Sequence, residues 1–181
     1  MKLVLPNQQY KESFLEAWKE LNDDPNTSYT FASKGDTIEE VRTDFDAFLF
    51  REQERIHGRM LPAEFVPQTH FWLINNEEFI GEVSMRHSLN DHLRKYGGHI
   101  GYGIRPSKRN MGYGKEILRL ALIEAEKIGI TKALITCDED NIGSRKIIEA
   151  NGGVLEDIVP NPGHPNKMRW WIDTSVSSRR K

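Results

Sequence analysis

Cysteine is nearly absent: Cys137 stands alone, so no disulfide can form within the chain. Long apolar runs are missing too. No stretch approaches the roughly 20 residues needed to cross a bilayer, and the opening MKLVLPNQQYKE is too poor in apolar residues for a secretory signal. There is no excess of positive charge, since 25 Lys and Arg face 27 Asp and Glu, which argues against a nucleic-acid partner. His87, His92 and His99 lie close together, but they lack the short regular spacings of zinc ligands and have no cysteine among them, so no metal is expected. Repeats, linkers and low-complexity tracts are also lacking. These absences lead us to expect a cytoplasmic protein with no membrane segment. Its 181 residues, 38% of them hydrophobic, suffice for a core. One domain is expected over residues 1–173, followed by a polar, disordered tail at 174–181.

What is present centres on residues 99–129. Ile100, Tyr102 and Ile104 alternate with His99, Gly101, Gly103 and Arg105, which is strand periodicity, and Pro106 ends the ladder. From Ile117 onward, Leu118, Ala121, Leu122, Ala125 and Ile128 recur at helical spacing, and Gly129 closes the helix. Between these elements, Gly112 and Gly114 leave the amides at a helix start open to a bulky anion. Arg105, Lys108, Arg109 and Lys115 surround that point, which suits a diphosphate.

Two common phosphate loops do not fit. The nucleoside-triphosphate loop would need a glycine at Arg109 and a hydroxyl at Glu116; the dinucleotide fingerprint would need its third glycine at Pro106 or Ile117. What remains, Arg109-x-x-Gly112-x-Gly114 after a strand, resembles the acyl-CoA-binding signature of the GNAT superfamily of N-acetyltransferases. A second segment has the same likeness. Residues 131–138 read as a buried strand, and Asn141-Ile-Gly-Ser144 opens a helix that closes at Asn151-Gly152-Gly153. Asn141 also suits a plain N-cap, and one residue can serve both purposes.

The resemblance implies an α/β fold: a central, mostly antiparallel sheet of about six to seven strands with helices on both faces. It implies acetyl-CoA as cosubstrate and no metal. Arg109, Asn110 and Met111 would lead into the diphosphate cradle at Gly112, Tyr113, Gly114 and Lys115. The strand near Ile104 and Arg105 would pair with the pantetheine arm, Asn141 and Ser144 would contact it, and a strand amide around Tyr102 or Gly103 would polarise the thioester carbonyl. A small-molecule or peptide amine is the implied acceptor, and a homodimer is one expectation, since dimers are frequent in the superfamily.

The rest of the chain reads as follows. Residues 2–5 form a strand, Asn7 caps a helix burying Phe14, Ala17, Trp18 and Leu21, and residues 22–26 break it. Thr37 and Glu40 have capping-box spacing for a helix that buries Val41, Phe45, Phe48, Leu49 and Ile56 and ends at Gly58. Residues 61–68 connect to a hairpin, 69–74 and 78–87, turning around Asn75-Asn76. In its second strand Ile80, Glu82, Ser84 and Arg86 face one way, and Phe79, Gly81, Val83 and Met85 the other. That face is either half-solvated or lines the acceptor pocket, with Glu82 as a base and Arg86 and His87 as acceptor contacts. Residues 88–98 form a polar excursion with one helical turn from Asn90. Strands at 154–159 and 168–172 finish the sheet, with Trp170 and Trp171 on opposite faces.

For catalysis the amine must be neutral. A lysine-like amine, with an ordinary pKa of about 10.4, is neutral in roughly one part in 2,500 at pH 7, a cost of about 4.6 kcal/mol, whereas an α-amine near 8 costs about 1.4 kcal/mol. Glu82 is the first candidate base and His99 the second. Cys137 reads as packing rather than as a nucleophile, and Asp138 and Asp140 as turn residues or alternative bases. The tyrosine that many members use to protonate the leaving thiolate is replaced by Ile148. A CoA-binding sensor without turnover, or an unrelated phosphate-binding module, are the rival expectations.

Overall fold

The computed structural model describes residues 1–25, 31 and 36–175. Its first strand, β1 (Lys2–Val4), leads through a 3-10 turn at Gln8–Tyr10 into α1 (Lys11–Asn22). The Asn7 side chain accepts from the Gln9 N–H, and Phe14, Ala17, Trp18 and Leu21 are buried as their spacing predicts. The capping box also forms: Thr37 Oγ1 accepts from the Glu40 N–H, and the Glu40 carboxylate accepts from the Thr37 N–H.

The helix opened by that box is not continuous. It stops as α2 (Ile38–Thr43) and restarts as α3 (Phe45–Ile56), because Asp44 leaves helical backbone (φ −132°, ψ 78°) and its side chain caps the second helix at the Ala47 N–H. Val41, Phe45 and Phe48 are buried, while Leu49 and Ile56 are only half-buried.

Among the described residues, seven strands form two antiparallel sheets. β2 (Gln68–Asn75), β3 (Glu78–Arg86) and β4 (Ile100–Ile104) extend the first in the order β1-β2-β3-β4. β5 (Lys132–Asp138), β6 (Val154–Val159) and β7 (Lys167–Asp173) form the second in the order β5-β7-β6. α4 (Tyr113–Lys127) joins the two sheets and α5 (Ile142–Ala150) follows β5. The mixed α/β architecture matches the expectation, with the sheet divided between β4 and β5.

Two local details differ from the sequence reading. The hairpin turns on Asn76 and Glu77, both left-handed at φ 47° and 65°, as a two-residue turn matching strand twist requires, rather than on Asn75-Asn76. The second is a β-bulge: Leu73 pairs with Gly81 but Ile74 with Phe79, so Ile80 is an extra residue. Ile80 thereby joins Val83 and Met85, while Phe79 joins Trp72 and Ile74 on the opposite side. β3 is also buried on both faces, with Glu82 only 2% exposed, so it is not half-solvated.

Each face carries its own core. Ile117, Leu118, Ala121 and Leu122 of α4 pack with Leu73, Val83, Met85 and Ile135. On the other face, α1 and α3 build an aromatic cluster with Trp72 and Phe79. Phe14 is its hub: it stacks on Trp72 (centroids 4.3 Å apart, planes 21°) and meets Phe79 edge-on (5.3 Å, 74°). At the C-terminal end, Thr174 is not part of a free tail. It is fully buried and its hydroxyl donates to the Ile130 carbonyl at 2.8 Å; residues 176–181 lie outside the described residues. Truncating the aromatic hub, Phe14→Ala, should cost about 3–5 kcal/mol, read as a lower urea midpoint at unchanged m-value.

Candidate functional site

The sheet divides where it does because of two hydrogen bonds. The His99 N–H donates to the Leu134 carbonyl at 2.7 Å, and the Leu134 N–H donates to His99 Nδ1 at 3.0 Å. Gly98 permits this approach: a Cβ there would lie 2.5 Å from the Leu134 oxygen, and its φ is +66°. Beyond this joint β4 has no ladder partner on its β5 side among the described residues. Arg86 N–H donates to His99 O and Arg105 N–H to Ile80 O. By antiparallel alternation, the backbone groups of residues 101 and 103 turn toward β3, and those of Ile100, Tyr102 and Ile104 turn into the gap. Of the two amides weighed for polarising a thioester carbonyl, the gap therefore receives that of Tyr102 and not that of Gly103. The Tyr102 hydroxyl reaches across to the Ser144 carbonyl at 3.5 Å; burial raises its pKa, against the opposing Ser144 hydrogen bond.

The gap runs into the glycine loop. After a 3-10 turn at Pro106–Lys108 the chain is extended at Arg109, left-handed at Asn110 (φ 63°) and left-handed again at Gly112 (φ +86°), where α4 begins. The Lys115 and Glu116 N–H groups already donate to the Gly112 carbonyl, whereas the N–H groups of Met111, Gly112, Tyr113 and Gly114 meet no acceptor among the described residues. The two glycines do different work. A Cβ on Gly112 would meet nothing within 4 Å, so its φ and the open space before the amides account for glycine there. A Cβ on Gly114 would lie 2.4 Å from Ile147 Cδ1, so that glycine lets α4 close on α5. Bare amides, a helix N-terminus and open space together fit a diphosphate.

The cations expected around this point are mostly engaged elsewhere. Arg105 is buried, and its guanidinium binds Glu20 at 2.6 Å, Glu78 at 3.4 Å and Glu16 at 3.6 Å. Lys108 pairs with Glu78 at 2.7 Å, and Arg109 pairs with Asp24 while Nε donates to the Ile104 carbonyl at 3.3 Å. The Arg105 side chain thus ties the loop to α1. Lys115 is exposed and makes no ion pair among the described residues.

Asn141 accepts from the Ser144 N–H at 2.9 Å, so the spacing of the Asn–Ser pair is that of an N-cap. Ile148 is fully buried in the core, and a Cβ on Gly153 would fall 2.4 Å from it. Cys137 is buried, and burial raises its thiol pKa. Asp138 pairs with Lys167 at 2.5 Å.

On the face of α1 and α3, Glu82 pairs across strands with Trp72 and with Gly103. Arg86 Nη1 would lie 3.0 Å from a Cβ on Gly101 and donates to the Gly97 carbonyl at 3.4 Å. His87 Nε2 is 2.8 Å from Thr69 Oγ1, and burial lowers its pKa. His99 is held low, to about 4, by burial and then by Arg94 and Arg86; its Nδ1 lone pair is already taken by Leu134. Sequence reasoning passed over a buried pair, His70 Nδ1 to Glu52 Oε2 at 2.6 Å. The signal was there: Glu52 and Arg55 continue the spacing of Phe45 and Phe48 along the inner stripe of α3.

No helix among the described residues is long and apolar enough to cross a membrane, and no group of three or more His, Cys, Asp or Glu there could hold a metal ion. No curated protein matches the sequence. Solved structures do. A microcin C7 self-immunity acetyltransferase in complex with acetyl-CoA and AMP is 16% identical, with 94% of this chain and 91% of that one covered and a TM-score of 0.66. A ribosomal-protein-serine acetyltransferase from Vibrio cholerae, described as putative, is 18% identical over 94% of this chain and 92% of that one, at TM-score 0.62. A spermidine N-acetyltransferase from the same organism is 16% identical over 99% of both chains, at TM-score 0.65. At such identities these likenesses establish the fold. The acetyltransferase (GNAT) domain model matches residues 8–154, and with that match over most of its length, the chain belongs to the GNAT family of acetyltransferases.

Proposed function

We propose that the protein transfers an acetyl group from acetyl-CoA to the primary amine of a small molecule or peptide by direct attack of the amine. The observation that carries this reading is the unpaired edge of β4, which runs directly into the bare amides at the start of α4. Acetyl-CoA supplies an acyl group already activated as a thioester. The amides of residues 111–114, with Lys115, would hold its diphosphate, and the outward N–H of Ile104, whose carbonyl already accepts from Arg109 Nε, and the α5 start at Asn141 and Ser144 would bind its arm. The outward N–H of Tyr102 would polarise the carbonyl. That the structural relatives include proteins named for spermidine and for a ribosomal-protein serine supports an amine acceptor while leaving its size open.

Glu82 is the base in this reading. It lies on the acceptor-side face, whereas His99 offers no free lone pair and is neutral over the working pH range. With Ile148 in the place of the usual tyrosine, the thiolate leaves without that acid; its ordinary pKa near 8.5 makes it a fair leaving group.

Mixing the protein with acetyl-CoA and a panel of polyamines, aminoglycosides and peptides should release free thiol above the hydrolysis rate. Glu82→Gln should lower kcat/KM about 10²–10⁴-fold with the acetyl-CoA melting shift retained. Gly112→Asp should abolish both shift and turnover, because it puts a carboxylate before the amides at a left-handed position. A melting shift with CoA but no thiol from any amine would sink the enzymatic reading in favour of a sensor. The Arg109–Asp24 pair, 37% and 14% exposed, must loosen if Arg109 is to meet the diphosphate. Asp24→Asn should therefore tighten CoA by up to about fivefold, the span of a partly exposed ion pair, as read by calorimetric titration.

A further inference from the structure

Ile148 stands where many family members carry the tyrosine that protonates the departing thiolate, and it is fully buried in the core. Another phenol reaches the gap from the opposite bank. Tyr102 pairs with Val83 across β4 and β3, and both pack with the core that α4 and α5 cover, so the ring leaves β4 on the side of those helices. Its hydroxyl donates to the Ser144 carbonyl in the first turn of α5. The ring thus spans from β4 to the segment that follows β5, at the very residue whose N–H turns into the gap. On the reading above, that N–H polarises the thioester carbonyl. Carbonyl carbon and sulfur are one bond apart, so the main chain and side chain of a single residue address both ends of the bond that breaks.

The state of the hydroxyl fits the task. Its bond to Ser144 is 3.5 Å long, well beyond the roughly 2.7–2.8 Å usual between two oxygens, so the proton is not committed to that carbonyl and can turn to a nearer acceptor. Burial raises the phenol's pKa, against the Ser144 hydrogen bond and with a smaller push in the same direction from Cys137. The group therefore stays protonated over the working range and acts as a donor. Cys137, on β5, shows how the same surroundings treat sulfur: burial raises its thiol too. A thiolate released there holds a proton more tightly than in water, in step with the phenol. Other donors on this side are engaged or weaker. Thr136 donates to the Tyr96 carbonyl at 2.7 Å, Lys167 pairs with Asp138 at 2.5 Å and Arg145 with Glu149 at 2.9 Å. The Ser144 hydroxyl is an aliphatic alcohol, which yields its proton less readily than a phenol.

We propose that Tyr102 is the general acid of the transfer, giving its phenolic proton to the coenzyme A sulfur as the thiol departs. This rests on the reading of the protein as an acetyl-CoA-dependent N-acetyltransferase. The C–N bond forms and the C–S bond breaks; the electron pair stays on sulfur, which takes the proton of Tyr102, while the proton lost by the amine goes to the base. The phenolate then regains a proton from solvent and the base returns one to it.

The test titrates the thiol of CoA bound to the full chain, by its thiolate absorbance. Tyr102→Phe keeps the ring and the backbone N–H and loses one long hydrogen bond, so it should fold. Without a donor at the sulfur, the bound thiol should titrate about one pH unit higher than in the wild type, the span of one hydrogen bond to a charged group. 3-Fluorotyrosine placed at residue 102, a more acidic phenol, should move it lower. In Tyr102→Phe, kcat should fall about 10²–10⁴-fold with the acetyl-CoA melting shift retained. A merely structural Tyr102 would lower kcat without moving the thiol titration. An unmoved titration in both variants, an unchanged kcat in Tyr102→Phe, or a titration moved by Ser144→Ala and not by Tyr102→Phe, overturns the proposal. A wild type that transfers acetyl to no amine fails the enzymatic reading and takes the acid role with it, whereas normal transfer with an unmoved titration removes the acid assignment alone.

Discussion

Two hydrogen bonds between His99 and Leu134 hold the four-stranded sheet to the three-stranded one. Were the ladder to continue past them, the outward groups of Tyr102 and Ile104 would be satisfied by β5 and no gap would exist. Were they absent, α4 would be the main link between two sheets whose inner faces share one core. The imidazole takes the place of a backbone acceptor at the point of divergence, so one strand pair begins there and goes no further. Gly98 makes the approach sterically possible. The same hydrogen bond occupies the His99 Nδ1 lone pair, and burial holds its pKa low, to about 4.

The electrostatics of the two sides of β4 differ in kind. At the loop, Glu16, Glu20, Asp24 and Glu78 already neutralise Arg105, Lys108 and Arg109. What is left for an anion is mainly dipolar: main-chain amides at a helix start, whose orientation is set by Gly112 and which need no side-chain reorganisation. On the opposite face the charges are buried and linked in series from Asp36 through Arg55 and Glu52 to His70. There desolvation makes each partner depend on the next, and removing one leaves an uncompensated charge. The first arrangement suits a ligand that comes and goes; the second ties α3 to β2.

Much of this was legible in the residues. The capping box at Thr37 and Glu40, the inner stripes of α1 and α4, the strand ending at Pro106 and the Asn141 cap are all local, decided by interactions within a few residues. The bulge at Ile80 was not, because either register satisfies the alternation of β3 and only the packing of Phe79 against Phe14 and Trp72 selects one. The break at Asp44 was missed because the apolar spacing of Val41, Phe45 and Phe48 continues across it. Arg105 was read as a phosphate ligand on proximity in sequence, whereas its partner Glu20 on α1 lies 85 residues away.

By itself, then, the chain's sequence determined most of its helices, the positions of its strands along the chain and the glycine loop that bears the family signature, since backbone sterics and short-range capping act before any distant contact forms. Tertiary structure alone decided which charges meet. It tied the loop's arginines to α1 and the residues just after it, spent the His99 lone pair on β5 and brought Glu52 to His70, because ion pairing and desolvation depend on distances in space that spacing along the chain does not encode.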